Sequence, residues 1–540
     1  TAYLWEEVLT SESILDIVGK FLHLAKSRSS ANHSQSASPK REYLIFPRYH
    51  QLDVVRKLIQ SAWEKGSGYN YLIQHSAGSG KSNSIAWLAY RLASLHNADN
   101  EKSFHSVIVI TDRRVLDQQL QDTIYQFEHK QGMVQKIDED TRQLVGALAK
   151  GVPIIVTTLQ KFPFVLETIE KMNEERKQGG KTSEIVLSTK DKRFAVIVDE
   201  AHSSQSGEAA SELKRILNKD GIERAILDQM LEGDLDETSL NEDQKKELLK
   251  QAATRAKQPN ISFFAFTATP KFKTKAVFDE PGEDGKPPFH LYSMRQAIEE
   301  NFILDVLKNY TTYKRFYKIA KTIEDDPQVS KTKGKVALAR FVNLHPVNLR
   351  QKTEIIVEHF RQVTRHQIGG KAKAMIVTSS RLHAVRYKLA IDEYIKEMKY
   401  TDIKALVAFS GTVIDFEAGG KEYRESSMNG GIKESELPEV FASEQYQVLI
   451  VAEKYQTGFD QPLLQTMYVD KRLDGIHAVQ TLSRLNRVAP GKMQTFVLDF
   501  VNEEEDVLKA FKPYYEKTEY GEESDIQALA NLEQEIYDWQ

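Results

Sequence analysis

At 540 residues, 41% of them apolar, the chain is long enough to bury several cores, and two large domains are expected. A net charge of −4 excludes a global basic field, so any contact with nucleic acid has to come from a local groove. The absence of cysteine excludes disulfides and thiolate metal sites, no run approaches the ~18 apolar residues of a membrane span, and Thr1 to Glu7 lack a basic and apolar leader; the reading is a soluble cytoplasmic protein.

Residues 1–26 place Leu15, Val18, Phe21, Leu22 and Leu24 at helical spacing and predict a helix or helix pair packed on its neighbour. Residues 27–41 are Ser-rich with almost no apolar side chain, which predicts an exposed loop and a boundary. Phe46-Pro47-Arg48-Tyr49-His50-Gln51 then leads into a helix over about residues 52–63. The Gln51 amide could pair with the edge of adenine while Tyr49 or Phe46 stacks on the ring, or it could simply face water at a helix start.

The stretch from Tyr71 to Ser82 is an apolar strand entering a glycine-rich turn, His75-Ser76-Ala77-Gly78-Ser79-Gly80-Lys81-Ser82. Backbone N–H groups around Gly78, Ser79 and Gly80 can curl about a polyphosphate, Lys81 can reach its outer phosphates, and the Ser82 hydroxyl can ligate Mg²⁺ as the next helix starts. His75 stands where the common pattern has its first glycine. Four further apolar runs read as buried parallel strands with polar ends, around residues 106–114, 152–158, 194–202 and 262–270. The third ends in Asp199-Glu200-Ala201-His202, where Asp199 can hold Mg²⁺ and Glu200 can polarise an attacking water, although acids after a strand also serve as helix caps. Residues 207–258 are charge-dense and predict surface helices inserted between strands.

The second half repeats the alternation, with strands expected near residues 374–380, 405–410, 447–452, 466–470 and 495–500 and no second phosphate loop. In Gln480-Thr481-Leu482-Ser483-Arg484-Leu485-Asn486-Arg487 the two arginines, three positions apart, are expected on one helix face. They could act across a cleft as arginine fingers on a γ-phosphate, or form an ordinary solvated face.

Phosphate loop, Asp-Glu-Ala-His, Thr267-Ala268-Thr269 and Gln480-x-x-x-Arg484-x-x-Arg487, in this order, resemble the motor core of superfamily 2 helicases and translocases over about residues 45–500. More narrowly, Gln74 to Ser82, Thr111-Asp112-Arg113, Asp199 to Gln205, Phe266 to Pro270 and Lys454 to Pro462 resemble the R subunit of type I restriction enzymes, and Tyr3 to Leu9 looks like the segment joining that family's nuclease to its motor. The resemblance implies an α/β fold of two tandem RecA-like domains, each a mainly parallel sheet with helices on both faces. The divisions it suggests are a linker and loop over 1–45, a first motor domain over 46–295, a second over 296–512, and the start of a helical region over 513–540.

It also implies an ATP-dependent double-stranded DNA translocase that uses ATP and Mg²⁺ and works with modification and specificity subunits. Gln51 would read adenine, Lys81, Ser82, Asp199 and Glu200 would serve phosphate, metal and water, and His202, Thr267 and Thr269 would couple hydrolysis to domain movement. Gly458, Asp460, Gln480, Arg484 and Arg487 would complete the ATP site from the second domain. Arg113, Thr158, Ser379, Arg381 and Ser410 would touch DNA phosphates. The PD-(D/E)xK nuclease pattern of that family is not found, so the chain reads as a motor fragment, with the nuclease before residue 1 and the helical assembly domain largely after residue 515. Two alternatives remain: a repair or RNA helicase of the same superfamily, and a nucleotide-gated scaffold without turnover. The second would have no need of Glu200, Arg484 and Arg487.

Overall fold

The computed structural model describes residues 4–26, 42–111, 120, 123–125, 132–137, 140–178, 192–199, 260–270, 274, 278, 280–282, 285–313, 349–416, 419–455 and 459–515. The Ser-rich loop, the charge-dense insertion and everything after residue 515 lie outside the described residues.

The chain opens with a π-helical turn, Leu4–Val8, and helix α1, Ser11–Lys20, whose N-cap Thr10 accepts from the Ser13 amide. Only Ser13 and Ile17 of α1 are buried, while Leu15 is 72% and Val18 57% exposed. The predicted helix or helix pair is thus one α-helix preceded by a π-helical turn, and it stops before Phe21. Phe21 instead sinks against Trp87, whose indole N–H donates to its carbonyl at 2.9 Å. Strand β1, His23–Lys26, follows and pairs antiparallel with β2, Glu42–Ile45. Leu24 therefore lies on a strand and is half exposed.

Helices α2, Tyr49–Lys65, and α3, Lys81–Ala93, flank the start of the first sheet. Its strands are β3, Asn70–His75; β4, Ser106–Thr111; β5, Val134–Lys136; β6, Ile154–Thr158; β7, Phe194–Asp199; β8, Ile261–Thr267; and β9, His290–Tyr292. They are all parallel, in the order β5-β6-β4-β7-β8-β3-β9. Alternation sorts the side chains. Leu72, Ile108 and Ile155 face a core closed by α4, Thr141–Lys150, and α5, Val165–Gln178. Tyr71, Ile73, Val107 and Val109 face the opposite core, with α1, α2 and α3. Each fully buried aliphatic of this kind is worth ~1.5–3 kcal/mol, and the two-sided cover explains why the strands read as unbroken apolar runs.

The second sheet contains β10, Tyr310–Thr312; β11, Lys373–Thr378; β12, Ala405–Ala408; β15, Val448–Val451; β16, Leu464–Asp470; and β17, Phe496–Asp499, parallel in the order β10-β17-β16-β11-β15-β12. A separate hairpin of β13, Thr412–Asp415, and β14, Lys421–Arg424, follows β12. Helices α6, Leu349–Gln362, and α7, Arg381–Glu397, cover one face, where Ile376, Val407 and Ile450 are buried. Helices α8, Gly475–Leu482, and α9, Glu504–Tyr515, cover the other, with Met375, Leu406 and Leu449. The chain is thus two tandem RecA-like α/β domains. Among the described residues no helix is long and apolar enough to cross a membrane.

Candidate active site

The glycine-rich turn runs from the carboxyl end of β3 into α3, where open parallel sheets bind ligands. Gly78 (φ +89°) and Gly80 (φ +75°) take the left-handed backbone that the turn requires. The Ser79 amide bonds to Ser76 O at 3.2 Å, and the buried Lys81 ammonium lies 3.4 Å from His75 O. Ser76 Oγ and Ser79 Oγ are buried in this turn without a hydrogen-bond partner, an arrangement that fits an incoming polyphosphate. Ser82, in the first turn of α3, is partly accessible.

Gln51 is committed to the loop itself. Its Nε2 donates to Gly80 O at 3.0 Å, while its Oε1 accepts from the Arg48 amide at 3.0 Å. A Cβ at Gly80 would meet Gln51 Nε2 at 2.5 Å. His50 supports the same turn: its Nε2 lies 3.0 Å from Ser79 O and its ring stacks on Tyr292 at 3.9 Å. Burial lowers its pKa to about 4. Tyr49 and Tyr292 both donate to the Glu300 carboxylate, at 2.6 and 2.7 Å. Phe46 is 55% exposed.

Asp199 ends β7, and Thr267 ends β8, the strand between β7 and the phosphate-loop strand. The Thr269 amide donates to Thr267 Oγ1 at 3.1 Å. Glu200, His202, Arg113 and Gly458 lie outside the described residues.

The second domain closes on this edge. Gln480 Nε2 donates to Thr269 Oγ1 at 3.3 Å, and Asn486 Nδ2 donates to Ala77 O of the phosphate loop at 2.8 Å. Arg487 Nη1 bonds Asn486 Oδ1 at 2.5 Å, and its Nε bonds Asp460 Oδ1 at 2.9 Å. A Cβ at Gly78 would lie 2.5 Å from Arg487 Nη1 and 2.9 Å from Asn486 Oδ1. The expectation that Arg484 and Arg487 share a helix face is corrected. Helix α8 ends at Leu482; Arg484 lies in the turn that follows, and Arg487 lies beyond it in an isolated antiparallel bridge to Ile303. Arg484 is buried and donates to Gln480 O and Phe459 O at 3.1 and 3.4 Å, whereas Arg487 alone abuts Gly78.

Of the remaining candidates, Ser379, Arg381 and Ser410 are exposed beyond the carboxyl ends of β11 and β12, and Arg381 Nη1 donates to Ser410 O at 2.9 Å. Thr158 is buried at the end of β6.

Sequence reasoning missed several participants. His75 and His290 pair at 2.8 Å, and His290 bonds Asp53 at 2.9 Å. The Ser76 amide donates to Tyr292 O at 2.9 Å, Leu304 N donates to Asn486 O at 2.8 Å, and Ile303 forms an antiparallel bridge with Arg487. The path from Tyr292 to Leu304 between the two domains is therefore bonded to the phosphate loop at one end and to the arginine segment at the other. The unusual His75 was the one visible signal, since β9 is too short to read as a strand.

Residues 50–222 match the SWI2/SNF2 ATPase family, and residues 421–502 match the type I restriction enzyme subunit R domain 3 family. The HindI type I restriction enzyme endonuclease subunit of Haemophilus influenzae is 26% identical over 509 residues, covering 89% of this chain and 42% of that one. The SsaAORF53P endonuclease subunit of Staphylococcus saprophyticus is 24% identical over 486 residues, covering 82% and 43%. The chain spans under half the length of these curated relatives. Among solved structures, an ATP-dependent type ISP restriction-modification enzyme, LlaBIII, bound to DNA aligns over 87% of this chain and 30% of its own, at 13% identity and a TM-score of 0.44.

Proposed function

We propose that this chain, a relative of the endonuclease subunits of type I restriction enzymes, is the ATP-driven motor segment of such an enzyme and draws double-stranded DNA past it before cleavage. The observation that carries the reading is the meeting of two domains on one turn: Asn486 and Arg487 of the second pack against Ala77 and Gly78 of the first. A protein that only held nucleotide would have no use for a guanidinium delivered from another domain to the phosphate loop.

The chain's own residues divide the work. The backbone of Gly78 to Lys81 cradles phosphates, the Lys81 ammonium balances their charge, and Gln51 and His50 hold the loop in shape from behind. Ser82 and Asp199 would hold Mg²⁺, which supplies charge neutralisation on the phosphate oxygens. Glu200 would orient the attacking water, and Arg487 would meet the charge that develops on the transferred phosphate. Thr267, Thr269 and His202 would pass the state of that phosphate to Gln480 and so to the second domain. Repeated opening and closing would step Ser379, Arg381, Ser410 and Arg113 along DNA phosphates, independent of sequence, while the buried Thr158 would support this edge without a phosphate contact of its own. The modification and specificity subunits would supply the site at which the complex is anchored.

The test is phosphate release from ATP by the chain without DNA, with single-stranded DNA and with linear duplex, with Lys81→Ala as the inactive control. Stimulation chiefly by duplex is expected. Preference for single strands would replace the translocase reading with a strand-separating helicase.

A further inference from the structure

The segment that delivers Arg487 has left helix α8 and belongs to no sheet; Leu304 N takes the Asn486 carbonyl across an isolated bridge, while the Leu485 and Arg487 carbonyls on either side are taken by a side chain. That residue is Lys492. Its side chain is buried, with only 3% of the residue exposed, and its Nζ donates to Leu485 O at 2.7 Å, Arg487 O at 2.8 Å and Pro462 O at 3.1 Å. An ammonium has three N–H donors, and each has an acceptor here. Two of the carbonyls flank Asn486, and the third stands just beyond Asp460, the partner of Arg487. One side chain thus gathers both segments of chain that hold the Arg487–Asp460 ion pair. Its own backbone is fixed as well, since the Lys492 amide closes a turn onto Ala489 O at 2.9 Å.

We propose that Lys492 is a positioning residue for ATP hydrolysis: it does not touch nucleotide, but fixes the backbone from which Arg487 and Asn486 reach the phosphate loop. The inference rests on the two-domain reading of the cleft. Holding an otherwise irregular segment in advance matters for a transition-state contact, because the guanidinium must already be in place when charge develops.

The test is a double-mutant cycle of Lys492→Met and Arg487→Ala in the full chain, reading kcat and KM for ATP with duplex DNA present, nucleotide affinity, and thermal melting. Lys492→Met is expected to lower kcat by ~10–100-fold with KM within ~3-fold, the pattern of a contact made in the transition state. In the Arg487→Ala background the same change is expected to cost no further turnover, since groups acting as a unit are not additive. The cycle is also run with Lys492→Arg, which keeps a buried cation with several donors and is expected to regain part of the lost kcat. Additive losses, or a raised KM at unchanged kcat, would overturn the proposal for either variant. Normal turnover by Arg487→Ala alone would sink the two-domain reading itself, and the positioning role with it.

Discussion

Two glycines with nearly the same backbone make a matched experiment. Gly78 has φ +89° and Gly132 has φ +88°, but a Cβ at Gly132 would meet nothing within 4 Å. A Cβ at Gly78 would meet Arg487 Nη1 at 2.5 Å, Asn486 Oδ1 at 2.9 Å and Ile303 Cγ2 at 3.1 Å. Gly78→Ala and Gly132→Ala therefore share a left-handed backbone strain of about 1–2 kcal/mol. Only the first pushes the Arg487 and Asn486 side chains away from the phosphate loop. Asn486 cannot swing clear without losing its 2.8 Å bond to Ala77 O, worth about 1 kcal/mol, and displacing Arg487 adds about 1.5–3 kcal/mol for a charged contact. At about 1.4 kcal/mol per tenfold, Gly78→Ala should lose ~100-fold or more in turnover, while Gly132→Ala stays near the parent rate. The assay is steady-state phosphate release at saturating ATP with duplex DNA, alongside thermal melting to match the strain. Equal turnover in the two variants would refute the reasoning, because the contact at Gly78 would then have no part in the active arrangement.

Two further outcomes concern stability. Lys454 and Glu425 form a buried ion pair at 2.8 Å, and Glu425 also accepts from the Phe409 amide; Lys454→Met should cost about 3–5 kcal/mol by stranding that carboxylate, with Lys454→Met/Glu425→Gln regaining part, and unchanged melting of the single variant would contradict this. Burial holds both His50 and His359 down to about 4. Below pH 6.5 the unfolded chain binds protons that these two rings refuse until about pH 4, so stability should fall with acidification across that window, by up to ~1.4 kcal/mol per pH unit for each. His359→Gln should flatten the pH dependence of melting between 6.5 and 4, and an unaltered slope would show that the ring does not titrate as its burial demands.

Both sheets were legible because their strands are covered on two faces, so runs such as Val107 to Ile110 and Val448 to Val451 are uniformly apolar and end in polar residues. The phosphate loop was legible because glycine conformation and lysine chemistry are local. The arginine segment was not. Leu482 and Leu485 are both buried at helical spacing, yet tertiary contacts end the helix at Leu482 and divert Asn486 to Ala77 and Leu304. The amino-terminal stretch failed in the opposite sense: Leu15 and Val18 mimic an inward stripe but face outward, and Leu24 belongs to a strand paired across the Ser-rich loop. Contacts such as Gln480 to Thr269 join residues far apart in sequence and leave no periodic trace.

The path from Tyr292 to Leu304 ties the phosphate loop to the arginine segment within one polypeptide. Docking of Arg487 is thus a unimolecular event governed by an effective concentration, which for a short tether is of millimolar order. Dilution cannot separate the two halves of the cleft, and turnover per chain should hold constant over any range of protein concentration in which the fold survives. A motor whose arginine came from a neighbouring copy would instead lose activity steeply on dilution.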